Sequence, residues 1–131
     1  MRKDKLDFGI TIYVERHGST HLPTYTVLLD DTVIESKHIP DVKSNDNFMV
    51  YFSTELDQGP HTISVKYDNP LSKGLIRIDN IYAGTAAGGF NCDSLVKSES
   101  SSKTNMLRNT GIYQFNFTSP FFYWALSRYP I

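Results

Sequence analysis

Leu6, Phe8, Ile10, Ile12 and Val14 alternate without a break with Asp7, Gly9, Thr11, Tyr13 and Glu15. A period of two is the signature of a β-strand, whose successive side chains point to opposite faces. One face of this segment goes to a core and the other toward solvent. The same alternation returns in Tyr25, Val27 and Leu29, in Phe48, Val50 and Phe52, in Ile63, Val65 and Tyr67, and in Tyr113, Phe115 and Phe117. No window of 11 to 18 residues sustains a helical period. Strands at this spacing, separated by turn residues, predict an all-β, antiparallel two-sheet sandwich of jelly-roll-like kind with six to eight strands.

The connections carry their own signals. Asp30-Asp31 between Leu29 and Thr32 reads as a tight hairpin, because Asp tolerates turn geometry and bonds its local backbone. Asp57-Gln58-Gly59-Pro60 reads as a turn, and Asp68-Asn69-Pro70 as a strand end. The polar stretches Arg16 to Pro23 and Pro40 to Asn47 read as loops. Ile76 and Ile78 share one parity and Ile81 takes the other, so a bulge or strand end is expected near Asp79-Asn80. Met49 and Tyr51 give the Phe48 to Phe52 strand a second apolar face, expected to be partly covered. Ala83 to Gly89 offers little for a core and reads as a flexible connection or a close backbone approach. Phe90 to Val96 is expected to hold a short strand. Residues 98–105, with their Ser-rich run, read as a mobile loop. Ser119-Pro120 predicts a short helical turn, with Ser as cap and Pro at its first position.

The chain has 131 residues, enough for one domain spanning 1–131 and not for two. Thirteen Lys and Arg balance 14 Asp and Glu, with no basic run, so no nucleic-acid partner is expected. The single cysteine, Cys92, excludes an internal disulfide and reads as a small core residue. Asp7, Gly9 and Thr11 interrupt the apolar stretch that a signal peptide would need, and no window approaches a membrane span. No membrane partner is expected, and the chain reads as made and folded in a cytoplasm.

Catalytic constellations are missing: no Gly-x-Ser-x-Gly, no phosphate loop, no His-Glu-x-x-His. His17 and His21 share a loop in which their spacing implies no metal site. The chain therefore reads as no enzyme. Asp30, Asp31, Asp57, Asp68 and Asp79 fall at expected strand ends, where Asp is an ordinary turn residue. No cofactor is required; the one ion the residues suit is calcium, at the oxygen-rich set Asp68, Asn69, Asp79 and Asn80, if their loops meet at one end of the sandwich.

The closing segment is the most distinctive. After Tyr113, Phe115 and Phe117 come Phe121, Phe122, Tyr123, Trp124 and Tyr129. Four consecutive aromatic residues cannot all face one side of a strand or of a helical turn. Some of Phe121 to Trp124 and Tyr129 are therefore expected at the surface, forming a binding or interface patch. Such a patch suits a sugar stacking on Tyr or Trp, or a protein subunit anchored by them.

Leu56 to Asn69, with its Gly59-Pro60-His61-Thr62-Ile63-Ser64-Val65 strand, followed by Ile78-Asp79-Asn80-Ile81, resembles the late strands of calcium-dependent, xylan-binding carbohydrate-binding modules. Pro23 to Asp31 is similar to their early strand pair. Pro120 to Leu126 looks similar to the closing segment of small tailed-bacteriophage accessory proteins that share this plan. The resemblance covers about half of the chain. The calcium and sugar ligands of the xylan-binding modules have no residue-by-residue match here. The resemblance implies a non-catalytic structural or attachment module of a virion, a capsid decoration or tail accessory protein whose partners are other virion subunits. The alternative it implies is a free-standing module that binds a polysaccharide or surface glycan, with or without calcium.

Overall fold

The computed structural model describes residues 3–15, 23–39, 46–68, 74–86, 88–92, 104–108 and 110–128. Two antiparallel sheets and one short helix make up this part of the chain. The strands are β1 (Asp4–Glu15), β2 (Thr24–Leu29), β3 (Thr32–His38), β4 (Asp46–Leu56), β5 (Gly59–Asp68), β6 (Leu75–Thr85), β7 (Gly88–Asn91), β8 (Met106–Arg108) and β9 (Thr110–Ser119). The helix α1 spans Phe121–Arg128.

The first sheet runs β4-β1-β6, and the far edge of β6 is shared by β7 along its second half and β8 along its first. The second sheet runs β3-β2-β5-β9. The alternation of β1 decides which side chains face the interior. Leu6, Phe8, Ile10, Ile12 and Val14 are all buried, and they join Ile76, Ile78, Ile81 and Ala83 of β6. The facing layer is Tyr25, Val27, Ile63, Val65, Tyr67, Tyr113, Phe115 and Phe117. A sandwich core of this kind is the interdigitation of two inner faces.

The parity slip in β6 is a bulge. Asn80 lies opposite Thr11 and Ile78 opposite Ile12, so Asp79 is the extra residue. That one insertion lets both Ile78 and Ile81 point inward. The β2–β3 hairpin turns at Asp30, whose φ of 53° is left-handed and tolerated by Asp better than by most residues. Ile39 N donates to the Pro23 carbonyl at 2.7 Å, extending the hairpin by a pair.

Two expectations are corrected, and two more fall partly outside the described residues. Ala83 to Gly89 is not a loose connection: Ala83 is buried, Gly84 and Thr85 finish β6, and Gly88 and Gly89 begin β7. The alternative reading, a close backbone approach, holds at Gly89, against which Tyr82 lies. Met49 and Tyr51 are not covered by another layer and stay exposed. Of residues 98–105, those from 98 to 103 lie outside the described residues. Asn105 is held by β6, its carbonyl accepting from Ile78 N at 2.9 Å and its amide donating to the Ile78 carbonyl at 2.8 Å. Phe90 and Asn91 do lie in a strand, β7, and residues 93–96 lie outside the described residues. Cys92 is buried, with its N donating to the Ile81 carbonyl at 2.9 Å.

Candidate functional site

The closing segment enters its helix through a cis Ser119-Pro120 bond. Ser119 does not cap the helix. Its hydroxyl is buried without a hydrogen-bond partner. The cap comes from the other end of the sequence: Phe121 N donates to the Asp4 carboxylate at 2.8 Å. A carboxylate at this position satisfies an otherwise orphan N–H and complements the positive end of the helix. Trp124 N donates to the Pro120 carbonyl at 3.2 Å, closing the first turn.

One turn of helix splays the aromatic residues in three directions, as the spacing of 3.6 per turn requires. Phe121 and Ala125 go into the core. Phe121 meets Phe117 edge-on with centroids 5.6 Å apart, and Trp124 at 5.4 Å. Trp124 is half-buried. It packs on Phe115 and Phe117, and the Arg128 guanidinium stands over its ring at 5.4 Å. Phe122 leans on Phe90 of β7. Tyr123 is 71% exposed. Tyr129 lies outside the described residues.

Phe122 and Tyr123 form one wall of a groove of about 440 Å³. Pro120, Lys3, Asp4, Lys5, Gln58 and Thr85 complete it. The groove thus gathers the start of β1, the β4–β5 turn, the β6–β7 hairpin and the helix. Its Lys3 ammonium lies 3.6 Å from Asp57, and its Lys5 ammonium 3.6 Å from Glu55. Apolar ring faces and polar rims meet here, the combination that stacks on one face of a ligand and hydrogen-bonds its edge. The polar lining was not legible beforehand. Lys3, Asp4, Lys5, Gln58 and Thr85 come from three segments distant in the sequence, and no local pattern brings them together.

A second cleft lies on the other flank of the helix, between Trp124, Arg128, Asp30, His61, Thr62 and Asn116. Here His61 Nδ1 is 2.8 Å from Asp30 Oδ2, and Nε2 is 2.7 Å from the Asp57 carbonyl. Both neighbours are acceptors, so both ring nitrogens donate only when the ring is charged. Burial opposes that charge. The hydrogen bonds to Asp30 and to the Asp57 carbonyl outweigh it and raise the His61 pKa above its ordinary value. With Nε2 turned to a backbone carbonyl, this His–Asp pair presents no free nitrogen to a nucleophile, unlike a hydrolase triad.

The expected calcium set is spread over both sheets. Asp68 ends β5, and its Oδ1 accepts from the Thr110 hydroxyl at 3.0 Å. Asp79 and Asn80 lie within β6 rather than at a strand end, because the strand runs through the bulge. Asp79 is paired with Arg77. The Asn80 amide donates to Asn91 at 3.1 Å. Asn69 lies outside the described residues. Among the described residues, no three His, Cys, Asp or Glu side chains come together as a metal-binding group.

The fold is that of an all-β two-sheet sandwich. Among solved structures the chain is similar to one described as vCBM60 in complex with galactobiose, a carbohydrate-binding module. The two share 12% identity over 82% of this chain and 98% of that one, with a TM-score of 0.47. An overlap this loose leaves the reading of the site to the residues themselves. No protein-family model matches the chain, and no curated relative does. No helix among the described residues is long and apolar enough to cross a membrane.

Proposed function

We propose that this chain is a non-catalytic carbohydrate-recognition module that takes a glycan in the groove beside its closing helix. The observation that carries the reading is the pairing of Phe122 and Tyr123 with the polar rim of Lys3, Asp4, Gln58 and Thr85. A pyranose offers a C–H face to an aromatic ring and hydroxyl groups around its edge, and the groove matches both. Titration with a panel of oligosaccharides, with and without calcium, tests it. Binding by the native chain is expected to fall about tenfold or more in Tyr123→Ala and Phe122→Ala, since stacked rings contribute on the order of 1 kcal/mol beyond buried area. A panel that binds nowhere, or binds both variants unchanged, rejects the groove as the site.

Attachment to a virion subunit is the second reading, and one observation favours it. Tyr123 and Leu126, three residues apart on α1, are both exposed, Leu126 at 46%. Residues at this spacing share a helix face, and such a ridge suits a protein surface. A chain that stays monomeric and binds no virion component excludes this reading.

A further inference from the structure

The outer face of the first sheet holds a second aromatic surface, remote from the helix in sequence. Strand register places Tyr51 of β4, Gly9 of β1, Tyr82 of β6 and Asn91 of β7 in one row across the sheet. Tyr51 is 71% exposed and Tyr82 39%. Both rings lie down on the sheet because glycine leaves the space beneath them. A Cβ on Gly9 would come within 3.2 Å of the Tyr51 ring. A Cβ on Gly89 would collide with the Tyr82 phenol. The Tyr51 hydroxyl donates to the Met49 sulfur at 2.9 Å, which fixes that ring's direction.

A ring lying along a sheet turns one π face outward. The backbone positions of Tyr51 and Tyr82 lie two strands apart, about 10 Å at ordinary strand spacing. Between and beside them lie hydrogen-bonding groups: Thr11 opposite Asn80 on the adjoining row, and Asn91 at the end of the Tyr82 row. A protein partner is anchored by side chains that fill pockets, whereas this face offers two exposed rings lying over glycine. The geometry points to a binding surface for an extended polysaccharide whose pyranose rings stack on Tyr51 and Tyr82 while their hydroxyls meet Thr11 and Asn91. The chain runs across the strands, and two of its sugar rings are held at once. This surface is separate from the helix groove and stands or falls independently of it.

The test uses pull-down on insoluble cellulose, chitin, xylan and mannan, then calorimetric titration of the matching oligosaccharides from dimer to hexamer. The native chain is expected to bind longer oligomers more tightly than the dimer. Tyr51→Ala and Tyr82→Ala are each expected to lower hexamer affinity about tenfold and to abolish the gain with length. Gly9→Val keeps both tyrosines but lifts the Tyr51 ring, and is expected to weaken the hexamer as well. Val33→Ala, at an exposed position on β3 of the other sheet, is expected to leave the affinity and the length dependence intact. The inference is overturned if none of the four polysaccharides is retained. It is equally overturned if Tyr51→Ala and Tyr82→Ala chains, folded by circular dichroism, bind the hexamer as the native chain does. Loss in the Tyr123→Ala variant alone would support the groove and reject this surface.

Discussion

The aromatic side chains of this molecule fall into two groups with opposite surroundings. Around α1, Phe8, Phe117, Phe121 and Trp124 meet edge to face or tilted, at centroid distances of 5.4 to 6.4 Å. On the outer face of the first sheet, Tyr51 and Tyr82 rest on glycine and pair with no other ring among the described residues. The first group is dense in the sequence and mostly buried. The second is sparse and exposed. The difference teaches that edge-to-face contact inside the sandwich buries a ring, while a glycine beneath it lets a ring lie exposed on the surface.

The sharpest way to break the comparison is at the centre of the buried group. Phe121 is wholly buried and touches Phe8, Phe90, Phe117 and Trp124. Phe121→Ala is expected to cost about 3–5 kcal/mol, the range for emptying a packed aromatic site. Urea denaturation measures it. A loss under about 1 kcal/mol would mean that the helix end does not belong to the cooperative core.

A smaller effect is expected where the two chain ends are joined. Asp4→Ala removes the carboxylate that accepts from the Phe121 N–H and is expected to cost about 1 kcal/mol, as for other helix caps. Hydrogen exchange at the Phe121 amide should quicken more than at the Phe115 amide in mid-strand β9. Equal acceleration at both would show that the helix does not open separately from the sheet.

The same contact explains what the sequence could and could not reveal. The period of two in β1 and the slip between Ile78 and Ile81 are local, so the strands and the bulge at Asp79 were legible. The Ser119-Pro120 pair carries a local capping signal, yet the partner actually used is Asp4, 117 positions away. No local pattern reports that. Asp79 read as a turn residue because Asp usually is one, but β6 absorbs it as the bulged residue and Arg77 pairs with it. Met49 and Tyr51 read as partly covered because apolar residues on both strand faces usually mean two layers. Among the described residues no third layer lies on that side, and Met49 and Tyr51 stay exposed.

The second cleft gives a pH-dependent test of moderate size. The folded state raises the His61 pKa above 6.5, so the charged ring's contacts contribute in full below that pH. The contribution is lost as the pH rises through the higher, folded-state value. Asp30 is nearly half exposed at its side chain, so the pair is worth on the order of 1 kcal/mol. Thermal melts between pH 5 and pH 9 are expected to show stability falling with pH. Asn tolerates the left-handed turn and retains an oxygen for the Thr62 N–H, so Asp30→Asn should flatten the profile without undoing the hairpin. A native profile with the opposite slope would mean that His61 is held neutral.

The smallest effect belongs to the open face. Tyr51 stands 71% exposed over Gly9, and its hydroxyl bonds only a thioether. Removing the ring uncovers backbone that water can reach and leaves no cavity. Tyr51→Ala is therefore expected to change stability by no more than about 0.5 kcal/mol, the range of an ordinary surface substitution. Phe121→Ala and Tyr51→Ala each delete one six-membered ring, so the contrast between them isolates surroundings from side-chain size. A Tyr51→Ala loss approaching that of Phe121→Ala would make Tyr51 a packing residue and remove the distinction between the two groups. A loss near zero leaves the ring with no structural task on a face where glycine has made room for it.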